Sequence, residues 1–115
     1  MISRPVVIKY DLEEQPVTFD CAYYLANVAM LVRSAGFHSF AIWIKNRAFR
    51  NMSVRDQAMH VDEKQWRLEN LIIPVCHRLI GCQSIVICED RPFQNAIVFP
   101  DDVKNISIGY TAAAT

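Results

Sequence analysis

The sequence predicts a three-layer α/β domain, a βαβαβ unit laid on a parallel sheet. Three observations carry that expectation. Short runs rich in β-branched residues recur along the chain, Val6-Val7-Ile8 and Ser84-Ile85-Val86-Ile87-Cys88 among them, each followed by polar turn-formers. Longer stretches lie between these runs, and their apolar residues return every three to four positions. Strands that alternate with helices close by right-handed crossovers, which makes the strands parallel and gives the order 3-2-1 by default.

The elements follow in chain order. Pro5-Val6-Val7-Ile8-Lys9-Tyr10 reads as a buried strand that runs into the polar turn Asp11-Leu12-Glu13-Glu14-Gln15-Pro16. Thr18 is placed to cap a helix, with Asp20 in its first turn, where negative charge suits the helix dipole. That helix is expected from about Phe19 to Ser34, with Gly36 as the terminator just past its end. It is apolar on nearly every side: Phe19, Tyr23, Ala26 and Met30 form one flank, and Ala22, Leu25, Ala29 and Val32 another, with little polar relief beyond Asn27. A helix packed on one sheet face ordinarily keeps a polar stripe. Helix 19–34 is therefore expected to meet a second domain, a second copy of the chain, or further chain.

His38-Ser39-Phe40-Ala41-Ile42-Trp43-Ile44-Lys45 is the second strand. A basic stretch from Asn46 to Met59 follows, with Arg47, Arg50 and Arg55, and Ser53 to Met59 has room for a short helical turn. Asp62 and Gln65 stand at capping-box spacing before the next helix. Leu68, Leu71, Ile72, Val75 and Leu79 make one buried stripe, and Gly81 ends that helix. Ser84 to Cys88 is the third strand, stopping at Glu89-Asp90-Arg91-Pro92, and Ala96-Ile97-Val98-Phe99 is a short fourth strand before Pro100. The pattern is Rossmann-like. It is expected to occupy residues 1–100 as a single domain, with 101–115 a weakly structured tail or truncated end.

Composition narrows the function classes. A chain of 115 residues has room for a single core. With 12 basic and 12 acidic side chains the formal net charge is zero, so no surplus of charge points to nucleic acid or to an anionic membrane as main partner. The start Met1-Ile2-Ser3-Arg4-Pro5 leads into no apolar signal segment, and the longest nearly apolar run, Cys21 to Val32, falls well short of the ~20 residues of a membrane span. A soluble, cytoplasmic protein is expected. The four cysteines, Cys21, Cys76, Cys82 and Cys88, form no C-x-x-C pair and have no histidine at a metal-finger spacing, so no metal is expected. Each lies among apolar neighbours and reads as a buried free thiol, with a Cys82–Cys88 disulfide as the alternative.

Chemistry is expected beyond the carboxyl ends of the strands, where open parallel sheets bind their ligands. Asp11, Glu13 and Glu14 follow the first strand, Lys45, Asn46, Arg47 and Arg50 the second, and Glu89, Asp90 and Arg91 the third. Solvated loops are charged in any α/β protein, which is the plainer account of the same residues. A phosphate cradle is not supported: Gly36, Gly81 and Gly109 stand apart, and Glu13 and Glu14 occupy the turn where bare amides would be needed. No cofactor is expected. Arg47, Arg50 or Arg91 could still grip a phosphate or carboxylate through paired hydrogen bonds. Cys76 and His77 are adjacent on a helix, so their side chains diverge by about 100° and make no nucleophile–base pair.

The most informative stretch is Trp66-Arg67-Leu68-Glu69-Asn70-Leu71-Ile72-Ile73-Pro74. Pro74 cannot donate to the carbonyl of Asn70 and its ring crowds that carbonyl, so a bend is expected there. A helix that follows a strand begins at the edge where the strands end. Trp66, Arg67 and Asn70 would then line the crevice; otherwise Trp66 simply covers the sheet edge.

Together with Pro16-Val17-Thr18-Phe19-Asp20, Ala35-Gly36-Phe37, Phe49-Arg50, Cys82, the strand ending near Arg91 and Val98-Phe99-Pro100, this stretch resembles the amino-terminal part of a bacterial family of sugar transferases of the two-Rossmann-domain glycosyltransferase type. The resemblance covers about residues 6–100. It implies a Rossmann-like half whose partner half binds the sugar nucleotide, and sugar transfer from an activated donor that this half does not complete alone. On that reading Arg50, Arg67 and Arg91 hold anionic groups of a nucleotide-sugar or carbohydrate ligand. Trp66 stacks, Asn70 lines the site, and Asp11 is the one candidate base. The competing expectation is a non-catalytic interaction module that docks or dimerises through helix 19–34.

Overall fold

Val6, Val7 and Ile8 open strand β1 (Val6–Asp11), the central strand of the computed structural model, which describes residues 4–15, 17–18, 20–46 and 59–102. The expectations for Arg47, Arg50 and Arg55, most of the 53–59 helical turn, and nearly all of the 101–115 tail lie outside the described residues. Strand β2 (Phe40–Lys45) pairs with β1 in parallel, placing Ile8 beside Ile42 and Tyr10 beside Ile44. Strand β3 (Cys82–Cys88) pairs in parallel with the outer side of β2, and the short β4 (Ile97–Phe99) with the free side of β1. The sheet order is β3-β2-β1-β4, so the expected 3-2-1 arrangement stands and the fourth strand extends it beyond β1.

Side chains alternate between the two faces along each strand. One face presents Ile8, Tyr10, Ile42, Ile44 and Phe99, and all described helices pack on it. Helix α1 (Asp20–Ser34) contributes Leu25, Val28 and Val32; α2 (Val61–Arg67), a π-helical turn (Leu68–Ile72) and α3 (Ile73–Arg78) follow one another and contribute Leu68, Ile72 and Cys76. Both crossovers move the same way across the sheet, so right-handedness puts both on one side. On the other face Val7, Trp43 and Val98 are covered by Phe93 and Ala96 of the 89–96 connection. Among the described residues the third layer is that connection rather than a helix. Each fully buried leucine or isoleucine in the main core contributes about 1.5–3 kcal/mol.

Local signals account for most helix ends. The Thr18 hydroxyl accepts from the Asp20 N–H at 3.3 Å, as expected of a cap. At the far end Gly36 takes a positive φ of 95°, the Gly36 N–H donates to the Arg33 carbonyl and the Phe37 N–H to the Val32 carbonyl. That pair of bonds is a Schellman motif, which needs a residue free of left-handed strain at this position. The cap of α2 differs from expectation. His60, not Asp62, caps the helix, its Nδ1 accepting from the Asp62 N–H at 3.2 Å. The helix starts early enough to leave Asp62 in its first turn, and Gln65 bonds forward to Glu69 at 2.8 Å.

Pro74 is accommodated by the π-helical turn that precedes it. The Ile73 N–H reaches back five residues to the Leu68 carbonyl, which leaves Pro74 in the first turn of α3, where a missing N–H costs least. The exposed stripe of α1 carries Tyr23, Ala26, Asn27, Met30 and Arg33, so an apolar strip does face solvent, broken by polar groups. No described helix is long and apolar enough to cross a membrane.

All four cysteines are free. Cys82 and Cys88 stand at opposite ends of β3, about 20 Å apart at ~3.3 Å per residue, far outside disulfide reach. Burial, with a smaller push from Asp20, raises the Cys21 thiol from 9.0 to about 11, and burial raises the Cys76 thiol to about 12. Burial likewise lifts Tyr24 from 10.0 to about 12, helped by Asp101, Glu14 and Asp11. The unfolded chain releases these protons from about pH 9 upward while the folded chain keeps them, so stability is intact below that pH and falls as pH rises toward 12. Urea midpoints measured from pH 7 to pH 10.5 are expected to be level at first and then to drop; a flat profile would contradict the burial of these groups. Iodoacetamide at pH 8 is expected to leave Cys21 and Cys76 unmodified until the chain unfolds.

Candidate functional site

The carboxyl end of β1 is built around Asp11. Its side chain is buried, at 6% exposure, and both oxygens are engaged. Oδ1 accepts the Glu13 N–H at 2.9 Å, and Oδ2 faces the Lys45 Nζ at 3.8 Å across the paired strand. The Asp11 carbonyl accepts the N–H groups of Glu14 and Gln15 at 3.0 and 2.7 Å. An aspartate that bonds the backbone two residues on makes an Asx turn, so the geometry of Asp11 is that of a turn-former.

Between the carboxyl ends of β1 and β4 the strand order reverses, which is where open α/β sheets form a crevice. Lys9 pairs there with Asp101, and the Tyr24 hydroxyl donates to the Lys9 carbonyl at 3.1 Å. Tyr24 also meets Tyr10 edge to face, with centroids 5.4 Å apart. Burial raises the Tyr24 hydroxyl first, followed by Asp101, Glu14 and Asp11, and Lys9 and Lys45 stand against Asp101 and Asp11, so the crevice carries both signs of charge. Among the described residues no group of three metal-ligating side chains gathers.

Helix α2 reaches the same rim through Arg67. Its Nη1 donates to the Val17 carbonyl in the β1–α1 loop at 3.5 Å, and its Nη2 to Glu63 Oε1 at 3.0 Å one helical turn back. Trp66 beside it is 60% exposed, and the Asn70 amide donates to the Trp66 carbonyl at 2.9 Å. Trp66 and Asn70 thus lie one turn apart on one flank, while the Arg67 side chain turns away to the Val17 loop and ties the helix to the rim that carries Asp11.

Arg91 is elsewhere. After β3 the 89–96 connection crosses the second sheet face back to the amino end of β4, and Arg91 travels with it. It lines a cavity of about 440 Å³ with Arg4, Phe37, Asn95, Ile97 and Asp102. Arg4 and Ile97 lie at the amino ends of β1 and β4, so Arg91 and Asp11 belong to opposite edges of the sheet. A single rim holding both, as the third strand's exit suggests from sequence, does not form. Arg50 is outside the described residues. A second cavity of about 610 Å³ adjoins the first, sharing Arg4, Phe37 and Ile97 and adding His38, Gln83 and Phe93. Sequence reasoning missed both cavities, since their walls come from segments about 90 residues apart; Arg4 bonding to the carbonyl of Asn95 is the contact that closes them.

No family model, curated protein or solved structure matches this chain.

Proposed function

We propose that this chain is the Rossmann-like, ligand-holding half of a sugar-transferase-like protein, and that it takes part in transfer only with a second body. The observation that supports this most is the exposed indole of Trp66, one helical turn from Asn70, on the helix that Arg67 ties to the carboxyl rim. A large aromatic left in water forgoes burial worth a few kcal/mol. Its flat face suits the C–H face of a sugar ring, while a guanidinium and an amide nearby can reach hydroxyl or phosphate oxygens.

The division of labour follows from charge. On this reading Trp66 gives this half its carbohydrate face, and the donor's phosphates belong to the second body, because the β1–α1 turn carries Glu13 and Glu14 where a phosphate needs bare amides. Asp11 shapes the turn, and the base that activates the acceptor also belongs to the second body. The sugar-transferase resemblance of the Trp66–Pro74 stretch agrees with this assignment.

The test is a titration of the whole chain with maltose and with UDP-glucose, followed by tryptophan fluorescence and backbone amide shifts. Trp66→Ala is expected to weaken binding at least tenfold with stability unchanged to within about 0.5 kcal/mol, as for an exposed residue. Asp11→Asn keeps an acceptor for the Glu13 N–H and loses the charge facing Lys45. It is expected to destabilise by about 1 kcal/mol and to leave affinity unchanged. Absence of saturable binding by either sugar, or binding indifferent to Trp66→Ala, would refute the reading.

The exposure of Tyr23, 78%, and Met30, 55%, on α1 favours a second reading, a module that docks through that stripe. Concentration-dependent dimerisation abolished by Tyr23→Glu, with no sugar effect, would establish it instead.

A further inference from the structure

The two amino-edge cavities, of about 440 and about 610 Å³, share three wall residues, and each falls within the size range of small-molecule sites. Their Arg4 and Ile97 walls lie at the amino ends of β1 and β4, away from the Trp66–Arg67 rim, and Asp102 continues the wall along β4.

Two guanidinium groups line the smaller cavity. Arg4 is held by the turn it touches: its Nε donates to the Asn95 carbonyl at 3.0 Å and its Nη2 to the Ala96 carbonyl at 3.4 Å. These bonds leave further N–H donors of the same planar fork unspent. Arg91 has no hydrogen bond or ion pair among the described residues. The carboxylate in the cavity, Asp102, accepts the Val98 N–H at 2.8 Å through one oxygen and keeps its charge, which the two guanidinium groups outweigh by one. Asn95 takes a φ of 58°, a left-handed conformation that asparagine tolerates better than most residues and that turns its carbonyl toward Arg4.

Phe37 supplies the apolar wall common to both cavities. Its ring is fixed edge-on against Phe99, with centroids 6.3 Å apart, and its backbone is fixed by the Schellman bond to Val32. Ile97 continues that wall, and Phe93 extends it into the larger cavity. Paired guanidinium donors beside a rigid aromatic surface match an oxyanion attached to a flat apolar body.

We infer that this amino-edge groove is a second binding site, separate from the carbohydrate rim, for an aryl or nucleoside phosphate. The phosphate sits between Arg4 and Arg91 and the ring lies against Phe37. The site is independent of the sugar reading and stands if that reading fails.

The experiment is a titration of the whole chain with phenyl phosphate at pH 7 and low salt, read by backbone amide shifts. Saturable shifts are expected at Phe37, Ala96 and Ile97, with affinity at least fivefold above that of inorganic phosphate or phenol. Arg91→Met is expected to weaken binding at least tenfold, and Arg91→Lys to recover part of the loss. Trp66→Ala is expected to change nothing. Because Arg91 is exposed, its variants keep the fold, which the unperturbed remainder of the spectrum verifies. Shifts confined to α2, an affinity for Arg91→Met within twofold of the parent, or tighter binding of benzoate than of phenyl phosphate would each overturn the assignment.

Discussion

Phe99→Ala is expected to lower folding stability by about 3–5 kcal/mol, the range for a large aromatic removed from a core. Phe99 is 1% exposed and belongs to the helix-side core with Ile8, Tyr10 and Leu25. It pairs with Ile8 across the parallel register and meets the Phe37 ring edge to face. The strand that carries it has three residues, held to β1 by that short register and by the Ile97 N–H to the Pro5 carbonyl at 2.8 Å. Truncation therefore opens a cavity and also loosens the strand, so collapse around the gap is poor. Urea unfolding checks it, with Phe99→Leu as a milder companion at about 1–1.5 kcal/mol. A loss below about 1.5 kcal/mol for the alanine variant would mean that β4 is an accessory to the core and not a member of it.

Gly81→Ala is the second large effect, expected at about 2–4 kcal/mol. Gly81 has a φ of 100°, and a methyl group built there would sit 2.8 Å from the His38 carbonyl oxygen and 3.0 Å from the Phe40 ring. The Cys82 N–H closes a turn onto the Leu79 carbonyl, and the Phe40 N–H takes the Gly81 carbonyl at 2.9 Å. The glycine is thus where the chain leaves α3 and where β3 first joins β2. Backbone oxygen cannot step aside, so relief requires moving the start of both strands. Gly36→Ala is the control. Its φ is 95° but no atom lies within 4 Å of an added methyl, so only the backbone term remains, about 1 kcal/mol. Equal losses at the two sites would show that the close approach at Gly81 contributes nothing.

Elements written in local pattern were legible. The parallel strands, the Thr18 cap and the Gly36 terminator all depend on neighbours a few residues apart, and of the expected stripe Leu68 and Ile72 are buried while Leu71, Val75 and Leu79 are half-buried and Cys76 takes the inner place. The cap of α2 was misread because His60 can accept from the backbone in the same way as the usual short polar caps. Pro74 announced a disturbance but not its form, since a bend and a widened turn answer the same missing N–H. The candidate site divided along the same line. Trp66 and Asn70, one turn apart in sequence, share a flank of the helix, and Arg67 leaves it for the Val17 loop. Arg91 was assigned to the exit of β3, yet the path of the 89–96 connection carries it to the other edge. No periodicity reports the direction a loop takes.

The five-residue hydrogen bond from Ile73 to Leu68 has a consequence for how this protein tolerates insertions and deletions. It adds about one residue to a turn, which swings everything upstream by about 100° relative to an uninterrupted α-helix. The half that ends at Arg67 is thereby phased to meet the Val17 loop, while the half that begins at Ile73 is phased to bury Cys76 against the strands. Deleting one residue between Leu68 and Ile72 would let the segment wind as a regular α-helix with both halves still in phase, but would place Pro74 inside that helix, where its missing N–H and its ring are costly. An inserted alanine would turn the arginine about 100° away from its present relation to the cysteine. The wide turn is the winding that satisfies both the proline and the two contact faces.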